Sequence, residues 1–103
     1  MPEVMVTRES DKATVHPAGD VVAASVPELR AVMREAVSTG ARELTVDLST
    51  VRMIDSCGIG VLIAAHNSLC KLGGHLVVVH ASKDILALFK VMRIHQHFRV
   101  SGD

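Results

Sequence analysis

The chain has 103 residues, 49% of them hydrophobic and 21% charged, a composition typical of one globular domain rather than of a disordered segment. We therefore expect a single domain over residues 1–103. The 11 basic and 11 acidic side chains cancel, so the chain has no surplus of positive charge for binding nucleic acid or an anionic membrane. The absence of Trp and Tyr, with only two Phe, excludes a stacking surface for single-stranded nucleic acid.

Targeting signals and disulfides are not indicated. No apolar run approaches the ~20 residues that cross a bilayer. The first residues also lack the basic start and apolar core of a signal peptide. Two cysteines are too few for a disulfide framework. We expect a cytoplasmic protein without a membrane partner.

The first part of the chain predicts two strands followed by a helix. Residues 4–8 and 13–17 alternate between apolar and polar side chains, with a turn between them. Ser25 and Glu28 have the three-residue spacing of a capping box. Apolar residues then recur at helical intervals, which predicts a helix over 26–39, ended by a glycine.

The second part predicts strands that alternate with helices. Residues 44–48 alternate as a strand does, and residues 59–70 have helical spacing followed by two glycines. The continuous apolar run over 76–79 indicates a strand deep in a sheet. Ser82 is placed to cap a third helix, and residues 98–100 form a short last strand.

The element order β-β-α-β-α-β-α-β predicts an α/β fold. We expect a mixed sheet of four to five strands with helices packed mainly on one side, and with residues 76–79 as a central strand. Most of the methionines (Met5, Met33, Met53 and Met92) are expected to fill the core.

The informative motif is V-R-M-I-D-S-C-G-I-G over residues 51–60. Asp55 or Ser56 can cap the helix that starts here, while Gly58 and Gly60 keep the turn free of side chains. One interpretation is a capped turn and nothing more. The other is a phosphorylation site, because a helix N-terminus tolerates an added anion that a docked partner would not accept.

A stripe of small side chains lies on the same predicted helix. Val61, Ala64, Ala65 and Ser68 are spaced at i, i+3, i+4 and i+7. The stripe is either partly buried under a neighbouring element or a docking face continuous with Ser56.

Residues 54–60, I-D-S-C-G-I-G, resemble the signature of the anti-sigma factor antagonists, which are STAS domains. That signature reads Asp, phosphorylated Ser, Ser or Thr, Gly, an aliphatic residue and Gly. Gly19-Asp20, residues 71–76 (K-L-G-G-H-L) and Leu88-Phe89 are also similar to the family, in the same order. The resemblance departs from the family at Cys57, which replaces a hydroxyl residue, at Val22, where relatives often carry Asp, and at Asp103, where many relatives continue into a final helix.

The resemblance implies a STAS-like fold and a protein-binding switch that needs neither catalysis nor a cofactor. Unphosphorylated at Ser56, such a protein binds an anti-sigma factor that is also a serine kinase, and so releases the sigma factor. Phosphorylation by that kinase breaks the complex, and a serine phosphatase resets it. Carried over by position and joined to the small-residue stripe, the partner-binding residues are Asp20, Asp55, Ser56, Cys57, Gly58, Gly60, Val61, Ala64 and Ser68.

Two other functions stay open. The chain could be a STAS subunit of another assembly, such as a lipid-transport complex or a stress-signalling scaffold, without phosphorylation of Ser56. It could also be a small thiol enzyme using Cys57, although a C-x5-R loop would need Arg where Ile63 stands, and Cys57 is otherwise expected to be a small buried residue. His95 and His97 have no evident further metal ligands, and His66 is expected to be a hydrogen-bonded residue at the edge of the core.

Overall fold

A computed structural model describes residues 4–102, which form five strands, three α-helices and one short 3-10 helix. The elements in chain order are β1 (Val4–Glu9), β2 (Lys12–Pro17), α1 (Val26–Ser38), β3 (Glu43–Asp47), α2 (Ser56–Lys71), β4 (His75–Ala81), α3 (Lys83–Val91), the 3-10 helix (Ile94–Gln96) and β5 (Arg99–Gly102). The α/β class, the mixed sheet and all predicted elements are confirmed, with bounds that differ by a few residues at most.

The sheet has the order β1-β2-β3-β4-β5. β1 and β2 form an antiparallel hairpin, and every later neighbour pair is parallel. β4 contains the apolar run predicted to be central. It is hydrogen-bonded on both sides, as expected of an interior strand, although β3 is the middle strand of the sheet.

The helices lie on one face of the sheet. From β2 to β5, each strand lies next to the preceding one, always toward the same edge of the sheet. Right-handed connections that all proceed in this one direction place their helices on the same face. Val15, Val46 and Val78 are aligned neighbours on this face, and all three are fully buried. On the opposite face, Thr45 and Val77 are only half-buried.

The buried side chains of strands, helices and loops form one hydrophobic cluster. Phe89, Leu62 and Leu69 are among its largest fully buried members, and burial of each such side chain contributes about 1.5–3 kcal/mol. Met33 is in this cluster, as predicted. The same prediction was wrong for Met5, Met53 and Met92, which are exposed because they lie on the edge strand, in a loop and at a helix end.

The predicted capping box at the start of α1 is absent. The Ser25 hydroxyl donates a hydrogen bond to the Asp20 carbonyl (2.7 Å) and accepts one from the Val22 N–H (3.1 Å), and it makes no bond to the helix. Residues 22–25 already form a turn that leads into α1, with the Val26 N–H bonded to the Val22 carbonyl. This turn directs the hydroxyl toward the loop rather than toward the first helical N–H groups.

The other predicted helix ends are confirmed. Asp55 caps α2, and the Ser82 hydroxyl accepts the Ile85 N–H at the start of α3. Gly40 and Gly73, which follow α1 and α2, have positive φ angles of 107° and 80°, a conformation that glycine adopts without steric cost. Within residues 4–102, no helix combines the length and apolar character needed to span a membrane.

Candidate functional site

The motif over residues 51–60 lies at the edge of the sheet where the parallel strands end. The loop after β2 (residues 18–25) and the loop before α2 (residues 48–55) meet at this edge. A parallel bridge pairs Val21 with Ile54, and the Val21 N–H donates to the Met53 carbonyl at 3.0 Å. The candidate site is therefore built from two loops that hold each other.

Two carboxylates tie these loops together. Asp20 Oδ1 accepts the N–H groups of Arg52 and Met53, both at 3.1 Å. In the opposite direction, Asp55 Oδ2 accepts the Ala23 N–H at 3.0 Å. Each loop thus supplies one acid that fixes the backbone of the other loop. Both acids were predicted to contact a partner, and the structure shows that their carboxylates are engaged inside the protein.

Asp55 has a second role as the N-cap of α2. Its Oδ1 accepts the Gly58 N–H at 3.0 Å, which satisfies one of the free donors at the helix start. Hydrogen bonds from the N–H groups of Gly58 and Ala23 hold the pKa of Asp55 below its ordinary value of 3.8. The carboxylate is therefore ionised at neutral pH and fixes the position of the next residue.

That next residue, Ser56, is exposed at the first position of α2, as predicted. Cys57 is also exposed, so the expectation of a small buried residue at this position was wrong. The side chains of positions one and two of a helix point away from its axis into solvent unless another element covers them, and no described element covers these two.

The two glycines of the motif differ in their surroundings. A Cβ on Gly58 would collide with the Val21 carbonyl oxygen and would lie 2.7 Å from the Ile54 Cγ1 atom. Gly58 is buried because the first turn of α2 packs directly on the bridge between the two loops. A Cβ on Gly60 would meet nothing within 4 Å, and Gly60 is exposed. Only Gly60 leaves the outer surface bare.

The small-residue stripe of α2 faces α1. Val61 is buried and Ala65 is half-buried, whereas Ala64 and Ser68 are exposed, and all four line a groove of about 400 Å³ between the two helices. Burial under a neighbouring element therefore describes Val61 and part of Ala65, and an open face describes Ala64 and Ser68. Among the nine residues predicted to contact a partner, Gly58 and Val61 are the two that are buried.

One exposed residue at the site was missed by the sequence analysis. Met53 is 58% exposed in the loop directly before Ile54, whose side chain points into the core. The signal was available, because adjacent residues of an extended segment point to opposite sides. Met53 adds an apolar, flexible side chain three residues before Ser56, of the kind that adapts to partner surfaces.

His66 is held at the edge of the core, as predicted. Its Nδ1 accepts the Leu76 N–H at 3.2 Å, its Nε2 lies 3.2 Å from the Cys70 Sγ, and its ring lies 5.7 Å from that of Phe98. Burial lowers the pKa of His66 below 6.5, and the nearby His75 and His97 lower it further. In the part of the chain that the structure describes, no three His, Cys, Asp or Glu side chains are grouped to hold a metal ion.

Comparison with known proteins identifies the family. The family model described as "Mlab, STAS domain" matches residues 4–100, and the chain therefore belongs to the STAS domain family. Two curated relatives, both named anti-sigma-B factor antagonist, come from Listeria monocytogenes and Listeria innocua. Each is 27% identical over 84 residues, which cover 82% of this chain and 74% of the relative.

Solved structures share the fold. An anti-sigma factor antagonist from Mycobacterium paratuberculosis superposes with a TM-score of 0.88 at 19% identity, over 100% of this chain and 87% of the other. SpoIIAA in its unphosphorylated form gives 0.74 at 15% identity, over 100% and 88% of the two chains. Bacillus SpoIIAA in its phosphorylated form gives 0.75 at 14%, over 98% and 93%.

Proposed function

We propose that the protein is an anti-sigma factor antagonist whose binding is switched by phosphorylation of Ser56. The observation that carries the proposal is the exposure of Ser56 at the first position of α2, with the exposed Gly60 one helical turn later and the exposed Met53 in the preceding loop. The names of the two Listeria relatives support this assignment. In the unphosphorylated state the protein binds an anti-sigma factor, and the sigma factor is released.

The chemistry of the switch follows from the surroundings of Ser56. The anti-sigma factor, acting as a serine kinase, transfers the γ-phosphoryl group of ATP to the Ser56 hydroxyl oxygen, which loses its proton, and ADP leaves. The product carries about −1.5 to −2 charges on a surface that had none at this atom. A serine phosphatase hydrolyses the ester and restores the hydroxyl.

The domain can accept this charge without unfolding. The N-terminus of the 16-residue α2 presents the positive end of its dipole to Ser56. The Asp55 carboxylate accepts hydrogen bonds from the backbone N–H groups of Gly58 and Ala23, and these bonds do not involve the Ser56 hydroxyl. The chain superposes equally well on the two forms of SpoIIAA, which agrees with a fold that persists through phosphorylation.

A docked partner cannot accept the charge in the same way. A surface that packs closely on Ser56 and Gly60 has no space for a phosphate, and the carboxylate of Asp55 lies next to it. Burying the phosphate would cost its hydration, and moving the partner away would lose the contact. The role proposed for this protein is that of a cytoplasmic regulator, which acts by binding other proteins rather than by catalysis.

The test is phosphorylation by the serine-kinase anti-sigma factor of the same organism with ATP, followed by intact mass and phosphopeptide mapping. We expect one phosphate, located on Ser56, and none in Ser56→Ala. Ser101→Ala, which removes an exposed hydroxyl on β5 outside the residues predicted to bind a partner, serves as the control and is phosphorylated normally. A phosphate on Ser25, Ser49 or Ser82 would contradict the proposal.

The second candidate is a STAS subunit of another assembly. It is favoured by the family model, whose description names Mlab rather than a sigma-factor regulator. In that case the kinase leaves the protein unmodified, and Ser56→Ala and Ser56→Asp bind the partner as the unaltered protein does. A thiol enzyme using the exposed Cys57 would instead be trapped rapidly by iodoacetamide at neutral pH.

A further inference from the structure

The groove between α1 and α2 is a second feature of the surface that carries the candidate site. It has a volume of about 400 Å³, and Met33, Val37 and Val61 form its apolar depth. Ala64 and Ser68 form the α2 side of the groove, where the side chains are too short to fill it.

The groove lies further along the helix that begins at Ser56. Both helices follow parallel strands and run back antiparallel to them, so α1 and α2 are parallel and begin at the same edge of the sheet. The groove starts about one turn after Ser56, at Val61, and reaches Ser68. Those two residues are seven positions apart, which is about 10 Å along a helix, or two turns.

The charge around the groove has one sign. Arg30 and Arg34 are one turn apart on α1, both are exposed, and they are the only charged residues among the described residues that line the groove. These two arginines belong to the α1 side of the groove, while the α2 side is formed by uncharged residues. A partner segment with carboxylates one turn apart complements this arrangement.

We infer that the groove docks an acidic amphipathic helix of the anti-sigma factor, with its apolar side on Met33, Val37 and Val61 and its carboxylates facing Arg30 and Arg34. The short side chains of Ala64 and Ser68 let the backbone of such a helix approach closely, and the two-turn length matches anchors at i, i+3 or i+4, and i+7. This inference rests on the proposed function, because it assigns a binding element to the partner proposed there.

The test measures the affinity for the anti-sigma factor by calorimetry at about 50 mM and about 200 mM salt, within the range over which surface charges become screened. The charge variant is Arg30→Glu with Arg34→Glu. Its matched control is Lys90→Glu with Arg99→Glu, which changes the net charge equally at exposed positions outside the groove. Circular dichroism checks that every variant is folded.

We expect the groove variant to bind at least roughly tenfold more weakly at low salt and to lose most of the salt dependence. The control should remain within about twofold of the unaltered protein. Ala64→Arg separates shape from charge, because it adds a positive charge but fills the groove. It should also weaken binding by about tenfold, and tighter binding by this variant would contradict a docked helix.

The outcomes separate the two proposals. If the unaltered protein binds and loses affinity on phosphorylation, while the groove variant binds equally well, the groove inference is overturned and the proposed function stands. If the groove variant binds more tightly, the partner segment is basic and the inference is also overturned. If the unaltered protein does not bind the anti-sigma factor, both proposals fall.

Discussion

Two glycines of α2, two residues apart, should respond in opposite directions to the same substitution. Replacing either by Ala removes backbone freedom from the unfolded chain and favours the helix by about 0.5–1 kcal/mol. For Gly60 nothing opposes this gain, since an added Cβ meets no atom within 4 Å. We expect Gly60→Ala to raise the free energy of unfolding by about 0.5–1 kcal/mol.

Gly58→Ala should lower the free energy of unfolding. Its new Cβ would collide with the Val21 carbonyl oxygen and would lie 2.7 and 2.8 Å from carbons of Ile54 and Val21. Overpacking of this kind costs about 1–3 kcal/mol, and the upper part of that range applies because one of the atoms belongs to the backbone. After subtraction of the helical gain, the net loss is about 2 kcal/mol.

The assay is urea unfolding followed by circular dichroism, because the chain lacks Trp and Tyr for a fluorescence signal. Thermal unfolding should separate the two variants further, since about 1 kcal/mol shifts the Tm of a domain of this size by about 4–8 °C. Equal stability of the two variants, or a more stable Gly58→Ala, would refute the close packing of α2 on the Val21 bridge. Under the proposed function, Gly60→Ala should also weaken partner binding, although it folds better.

The remaining predictions concern the two acids and the half-buried histidine. Asp55→Ala removes the α2 cap and should cost about 1 kcal/mol of unfolding free energy, whereas Asp55→Ser keeps a capping oxygen and should lose less, as measured by urea unfolding. Asp20→Ala removes the acceptor for two backbone N–H groups and should destabilise the domain by about 1 kcal/mol, with faster hydrogen exchange at Arg52 and Met53. A histidine with a lowered pKa binds fewer protons in the folded than in the unfolded state. The contribution of the neutral His66 to the free energy of unfolding is therefore complete above its ordinary pKa of 6.5, and it is lost as the pH falls from there through the folded-state pKa. Lowering the pH from 7.5 to 5.5 should therefore destabilise the unaltered protein more than His66→Asn, and an equal loss in both would show that another group causes the effect.

Local signals in the sequence predicted most of the fold. The alternation over residues 44–48 and the helical spacing over residues 59–70 describe surfaces that each element buries, so the period alone indicates the element. The oxygen of Asp55 caps a helix through a local contact, and this too could be predicted. The parallel pairing of the later strands was predicted from their alternation with helices, whereas the order of the strands in the sheet depends on pairings that no local pattern records.

The errors concern loops and helix ends whose conformation is set by the fold. Ser25 has the spacing of a capping box, but its hydroxyl is bonded to the loop that Asp20 anchors, which the local pattern does not show. Met53 and Met92 are apolar residues at places where the chain leaves the core, and composition alone cannot distinguish these places. The bonds that Asp20 and Asp55 make across two loops also required the fold, because their partners are more than 30 residues away.

The most direct test of the proposed switch compares the affinity of unmodified and Ser56-phosphorylated protein for the anti-sigma factor by titration calorimetry. We expect phosphorylation to weaken binding by roughly a hundredfold or more, which corresponds to about 2.7 kcal/mol, while circular dichroism shows an unchanged fold. Ser56→Ala should bind as tightly as the unmodified protein, and Ser56→Asp should lie between the two states because it carries a single charge. Equal affinities for Ser56→Ala and the phosphorylated protein would show that Ser56 is part of the helix start and not a switch.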